Sequence, residues 1–383
     1  MDTSILIKEM KLERKNRIKK VYIILFLLFT SNLFSDYEYT FNTGINQINS
    51  VVFANDRKTA IIAGDKVIQI WDIENQRLKR ELEFGSYVLS VVLSRDGKNL
   101  ASAGISKQIK IWNTANWSIK ENLEITDYAL SIAYSPNGKY MVAGLSDGSI
   151  VKYEEENYIA DYEKLHIGAV YSVAVSDAGE VYSCGEDGKV MRLSEKGKEE
   201  LMKTGAKLYS IALSKNNRYI AFGGRNSKIT VMEVKTKNKN EIKAESDVKS
   251  MLFYAEDTKL IAGTKTGSIM VYRIEKGELY TINYYKMGER EINSVAVSKY
   301  GEYVMGGGSE GIVKIWLTEE GKEIKYGDYY YAGIKLMEEG RKNPANYKRA
   351  IENFEKALTI IEKEEARKRI KECKEKYKAS LSR

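Results

Sequence analysis

The chain has 383 residues, with 61 Lys and Arg, 53 Asp and Glu, one His and two Cys. Two prolines exclude collagen-like and proline-rich classes, and His166, Cys184 and Cys373 are too few for a multi-histidine zinc site, an all-cysteine zinc site or a disulfide-dense scaffold. The formal charge of +8 sits at the ends: residues 1–35 carry seven basic and three acidic side chains, residues 328–383 carry 15 and 10, and the body between is near neutral. Nucleic acid is therefore not an expected partner.

The first element is the basic run LERKNRIKK, followed by the apolar run Val21–Thr30 and the polar-ended SNLFS of Ser31–Ser35. This order fits a secretory signal peptide over residues 1–35, and the apolar run is short for a membrane span of ~20 residues. The expectation is export to the periplasm or cell envelope, with cytoplasmic residence as the alternative. The membrane would be touched only through this segment, if it stays uncleaved. No Cys follows the apolar run, so lipoprotein processing is not supported. Cys184 falls in a strand-like segment and Cys373 in a charged helical one, and two free thiols are expected.

Residues 36–327 repeat. The segments NSVVF, LSVVL, LSIAY, YSVAV, YSIAL, KSMLF and NSVAV place serines at Ser50, Ser90, Ser131, Ser172, Ser210, Ser250 and Ser294. A second landmark keeps step, at Trp71, Trp112, Tyr153, Leu193, Met232, Tyr272 and Trp316. Turn signals such as SRDGK, SPNGK and SDAGE stand between a first strand and a middle strand such as Asn99–Gly104. Six residues before each terminal landmark stand Asp65, Ser106, Asp147, Asp187, Asn226, Thr266 and Glu310, all polar as a tight turn requires.

Seven units with a period near 40 residues, the first two ending in Trp71-Asp72 and Trp112-Asn113, resemble the WD-repeat family. The resemblance implies a mainly β, seven-bladed propeller, followed by a small α-helical segment. It implies a buried hydrogen-bond set of His, strand Ser, turn Asp and Trp. On the matching positions these are His166, Ser172 and Asp187 in the fourth repeat, Ser131 and Asp147 in the third, and Ser50, Asp65 and Trp71 in the first. No repeat carries all four. Closure could come from Tyr37–Phe41 or from Lys322–Tyr326, and the pattern does not choose.

From residue 328 to 383 the period becomes 3.6. Tyr329–Gly340 and Tyr347–Ile361 are predicted helices, and Glu362–Tyr377 a third, charged one. Gly333, Leu336, Gly340, Tyr347, Ala350, Phe354 and Ala357 resemble one tetratricopeptide repeat whose turn carries about five extra residues.

No catalytic role, cofactor or metal is expected. His166, Ser172 and Asp187 could suggest a hydrolase, but Ser172 has no nucleophile-elbow context and the serine recurs in repeats without the His. Gly306–Gly308 does not open a helix or end in G-K-S/T, so it is not a phosphate loop. No D-x-D-x-D-G calcium loop occurs.

The resemblance also implies that residues one and three before each strand serine face one rim of the disc. Three before, the residues include Tyr87, Tyr128, Lys207, Asp247 and Glu291. One before, they include Leu89, Leu130, Tyr171, Tyr209 and Lys249. Repeats two to five then present an aromatic and apolar arc, with mixed charge beside it. The expected function is a non-catalytic scaffold that binds another protein or a peptide. The alternative is an exported propeller enzyme or small-ligand sensor that uses the central channel.

Overall fold

The computed structural model describes residues 38–154, 160–340 and 343–381. The segment read as a signal peptide lies outside the described residues. Among the described residues no helix is long and apolar enough to cross a membrane.

Seven antiparallel four-stranded sheets form the seven blades of a propeller. Burial along each blade follows its composition. Middle strands such as Thr59–Gly64 and Tyr303–Gly308 are small, apolar and buried throughout. Outer strands such as Arg77–Glu83 are charged and largely exposed. One blade cannot cover its own faces, so each buries them against its neighbours, and a closed circle leaves only short edges.

Closure uses the strand Glu38–Asn42, which pairs antiparallel with Ile312–Leu317 as the outer strand of the seventh blade. Tyr39 and Phe41 are buried there, Phe41 5.3 Å from the Trp71 ring and Tyr39 6.3 Å from the Tyr303 ring. The rival segment Lys322–Tyr326 is helical. It lies in α1 (Glu319–Glu339), which is followed by α2 (Ala345–Ile360) and α3 (Glu364–Leu381).

The first helix therefore begins well before residue 328. Thr318 caps it, its hydroxyl accepting from Gly321 N at 2.9 Å, with Glu319 and Glu320 in the first turn. Gly321 and Gly327 disguise this start in the sequence. Gly321 is required, because a Cβ there would lie 2.1 Å from the Glu302 carbonyl oxygen. The helices pack on one another through Tyr347, Ala350, Phe354 and Cys373.

Every inner strand carries a β-bulge of one extra residue at its start. The register shifts between Ile48 and Ser50, and at the equivalent place in all seven blades. A bulge leaves one residue unpaired and re-aims its side chain. Here that residue is the one before each serine.

The serines bind the blades together. Ser50 Oγ accepts from Val91 N at 3.1 Å, Ser90 from Ile132 N at 3.1 Å, and Ser131 from Val173 N at 3.3 Å. Ser172 accepts from Ile211 N at 3.1 Å and Ser210 from Met251 N at 2.9 Å. Ser250 accepts from Val295 N at 3.2 Å, and Ser294 from Val51 N at 3.1 Å. Seven bonds, one per blade junction, close on themselves.

This corrects the role expected of Ser172, Ser131 and Ser50. His166 Nε2 bonds Ser183 Oγ at 2.8 Å, and its Nδ1 bonds Asp187 at 2.9 Å. Ser183 stands on the second strand of the blade, under the loop that carries His166, whereas Ser172 is taken up by the next blade. In the second blade Trp112 Nε1 donates to Ser102 Oγ at 2.7 Å, again on the second strand. In the first blade Trp71 Nε1 donates to Gln69 Oε1 at 2.8 Å, while Asp65 accepts from Asn46 N at 2.8 Å. Asp147 accepts from Ser149 N at 2.8 Å and closes its own turn. Ser50, Asp65 and Trp71 thus do not meet.

Candidate functional site: the propeller rim and channel mouth

The bulged residues converge on the axis. Asn49, Leu89, Leu130, Tyr171, Tyr209, Lys249 and Asn293, one from each blade, line a cavity of about 240 Å³ together with Gln47. Asn49 and Asn293 are tied to the wall, donating to Val88 O at 2.8 Å and Ile48 O at 2.9 Å. The opposite wall is apolar, and it is built by Leu89, Leu130, Tyr171 and Tyr209. The Tyr171 and Tyr209 rings meet edge to face at 5.5 Å. Lys249 sits 4.7 Å from the Tyr209 ring and pairs with Glu291 at 3.1 Å. Burial pushes the Tyr171 hydroxyl up, and the Glu186 charge adds to it.

The residues three before the serines form an outer circle. In five blades a glycine at the end of the second strand lets their backbones close in, whereas the third and sixth blades carry Leu145 and Thr264 there. A Cβ on Gly104 would lie 1.8 Å from Tyr87 O, and one on Gly224 2.1 Å from Lys207 O. Tyr87 and Tyr128 are 49% and 41% exposed. Lys107 lies 5.6 Å from the Tyr128 ring and 3.7 Å from Asp127. Lys207 pairs with Glu186 at 2.5 Å, and Asp247 is half-buried.

The expected rim residues thus divide into two circles: Tyr87 and Tyr128 stand out on the rim, while Tyr171 and Tyr209 line the mouth of the channel. Two apolar residues of the same arc escaped the sequence reading. Ile105 is 40% exposed and Ile167 is 81% exposed. A signal for Ile105 existed. It opens the turn after the middle strand, where the other six blades have Asp65, Ser146, Glu186, Arg225, Lys265 and Ser309. Ile167 had no such signal, because its position follows from its N–H donating to Asp187 at 3.0 Å.

His166 and Ser183 are buried, so their pairing offers no surface to a substrate. Burial pushes the Asp187 carboxyl up, but bonds from His166, Lys189 N and Ile167 N outweigh it and hold it below the usual range. Beside this network lies a shallow cavity of about 510 Å³ between the fourth and fifth blades, lined by Glu186, Asp187, Gly205, Ala206, Lys207 and Arg225. Among the described residues no group of three or more His, Cys, Asp or Glu is placed to hold a metal ion. Cys184 and Cys373 are free and buried, and burial pushes the Cys373 thiol up to about 11.

Three segments, residues 77–113, 123–154 and 280–316, match the family described as WD domain, G-beta repeat. All three begin in the outer strand of one blade and end in the third strand of the next. No curated protein matches the chain. The fold is similar to that of solved structures titled "Structure of U3-55K" and "Crystal structure of RRP9 WD40 repeats", each at 16% identity and TM-score 0.67. These cover 73% of this chain and 98% and 97% of theirs. A chain of "Crystal Structure of Mitotic Checkpoint Complex" is similar at 15% identity and TM-score 0.65, covering 73% of this chain and 94% of that one.

Proposed function

We propose that this chain, a seven-bladed propeller built of WD40 repeats, is a non-catalytic scaffold that docks another protein or a peptide on the rim and channel mouth of blades two to five. The observation that carries the reading is a continuous apolar arc. Tyr87, Ile105, Tyr128 and Ile167 stand exposed around the half-buried Leu89, Leu130, Tyr171 and Tyr209. Four large exposed apolar residues on one face exceed what scattered surface residues need, and aromatic anchors dominate binding energy. Fold likeness supports it in a general way, since two of the similar structures come from WD40 repeats and from a protein complex.

The rival enzymatic or sensing use of the channel has less support. Among the described residues the cavity at the channel mouth is lined by one charged side chain, Lys249, whose charge is paired with Glu291 at 3.1 Å. Acid–base chemistry wants convergent titratable groups. Export remains part of the proposal and rests on the basic and apolar order of residues 11–35.

The test is site-specific photo-crosslinking in the native cell. A photoreactive residue at position 128 should give a discrete adduct. One at position 300, exposed in the turn on the other face of the disc, should not. Equal adducts from both positions, or none from 128, would defeat the reading.

A further inference from the structure

The four charged residues of the cavity between the fourth and fifth blades are not equivalent. Asp187 is fully engaged, by His166 Nδ1 at 2.9 Å, Ile167 N at 3.0 Å and Lys189 N at 3.1 Å. Glu186 pairs with Lys207 at 2.5 Å. Arg225 is exposed and makes no ion pair among the described residues. Its backbone N–H donates to Lys207 O at 2.9 Å, which fixes the start of its turn at the cavity edge. The floor is made by Gly205 and Ala206, and a Cβ on Gly205 would meet nothing within 4 Å. Room and one uncommitted cation therefore coincide.

The cavity adjoins the channel mouth. Lys207 stands three residues before Ser210 and Tyr209 one before it, on the same strand start. Tyr171 and Tyr209 are close enough to Lys207 to act on its charge. An anion at Arg225 thus lies beside an apolar group in the mouth.

We propose that this cavity binds the carboxylate of an Asp or Glu side chain of the docked peptide, close in sequence to the apolar residue that enters the channel mouth. The assignment rests on the docking reading above. A guanidinium presents two parallel N–H donors that match a carboxylate. Glu186 is neutralised by Lys207 and the Asp187 side chain is only 9% exposed, so an arriving carboxylate meets the exposed Arg225 first. An arriving Lys or Arg would meet Arg225 as a like charge. The pairing is solvent-accessible and therefore weakens with salt.

The test uses the full chain and a phage-displayed library of random 12-residue peptides. Recovered peptides are synthesised with a fluorescent label and their binding is read by anisotropy. The expected recoveries join an aromatic or aliphatic residue to a nearby Asp or Glu. Arg225→Glu should weaken them about tenfold or more, at an unchanged thermal midpoint, and Arg225→Gln should weaken them less. Replacing the peptide's Asp or Glu by Asn or Gln should weaken wild-type binding similarly, with little further loss in Arg225→Glu.

Recovery of basic or uncharged peptides overturns the carboxylate assignment. So does displacement of the label by inorganic phosphate as well as by unlabelled peptide. Binding lost in Tyr171→Ala but unchanged in Arg225→Glu overturns it too, and leaves the docking reading standing. Peptides indifferent to both changes, or no recovered peptide at all, overturn both.

Discussion

Ser294 Oγ accepts a hydrogen bond from Val51 N at 3.1 Å, across 243 residues of chain. It is the same bond that Ser50 makes with Val91 N and Ser210 with Met251 N. Across the closing seam the junction therefore has the geometry of a junction between consecutive blades. Ser294→Ala leaves the Val51 N–H without a partner, at an expected cost of about 1–3 kcal/mol. Ser210→Ala should cost a similar amount. Urea denaturation of the two variants checks this, and two unshifted midpoints would refute the role assigned to the serines.

The two circles of tyrosines should respond differently. Tyr87→Ala with Tyr128→Ala removes exposed rings, so partner capture should fall about tenfold or more while the thermal midpoint stays within a degree or two. Tyr171→Ala removes a half-buried ring that packs on Tyr209 and should lower both capture and stability. Calorimetry beside a binding titration separates the two. A large loss of stability in the first pair with unchanged capture would return those tyrosines to a packing role.

Asp187 makes stability depend on pH in a defined direction. Its carboxyl is held below the usual value of 3.8, with burial opposing and the bonds from His166, Lys189 N and Ile167 N prevailing. A carboxyl lowered in the folded state binds fewer protons than in the unfolded chain. Its contribution is complete above 3.8 and is lost as pH falls below that and through the folded value. Asp187→Asn should be less stable at neutral pH and should show a shallower fall of the thermal midpoint as the pH drops below the usual carboxylate value. An equal slope in both proteins would contradict this.

Gly104 tests the geometry of the rim. Its place in the strand end brings Tyr87 O within 1.8 Å of where a Cβ would stand. Gly104→Ala should destabilise by about 1–3 kcal/mol and weaken capture through displacement of Tyr87. Gly85→Ala is the control for open space, since nothing lies within 4 Å there, although its φ of +93° adds backbone strain. Equal, negligible effects in both would show that the close approach is unimportant.

The propeller was legible because a blade is short and its strands recur in register, so that seven weak signals add. The rim was legible in part, since the bulged residue has a fixed offset from the serine. The hydrogen-bond partner of His166 was not. The inner serine repeats in all seven blades and masks Ser183 and Ser102, which recur less regularly. The start of α1 was hidden by Gly321, a residue chosen for its approach to Glu302 and poor in helix propensity. Arg225 and Ile167 gain meaning only when adjacent blades come together.

The strand Glu38–Asn42 leaves the ribosome long before its partner Ile312–Leu317. At ~5–20 residues per second the interval is roughly a quarter to a full minute. Throughout it Tyr39 and Phe41 have no sheet to join, and the edges of the first and seventh blades stay open. The ring thus has one latch, made last. Once shut, it is overlaid by α1, whose Lys325 donates to Tyr39 OH at 3.2 Å. Loss of the last few residues of Ile312–Leu317 would therefore cost far more than one strand of seven sheets: it would leave a complete set of blades that cannot form a circle, with adhesive edges offered to a neighbouring chain.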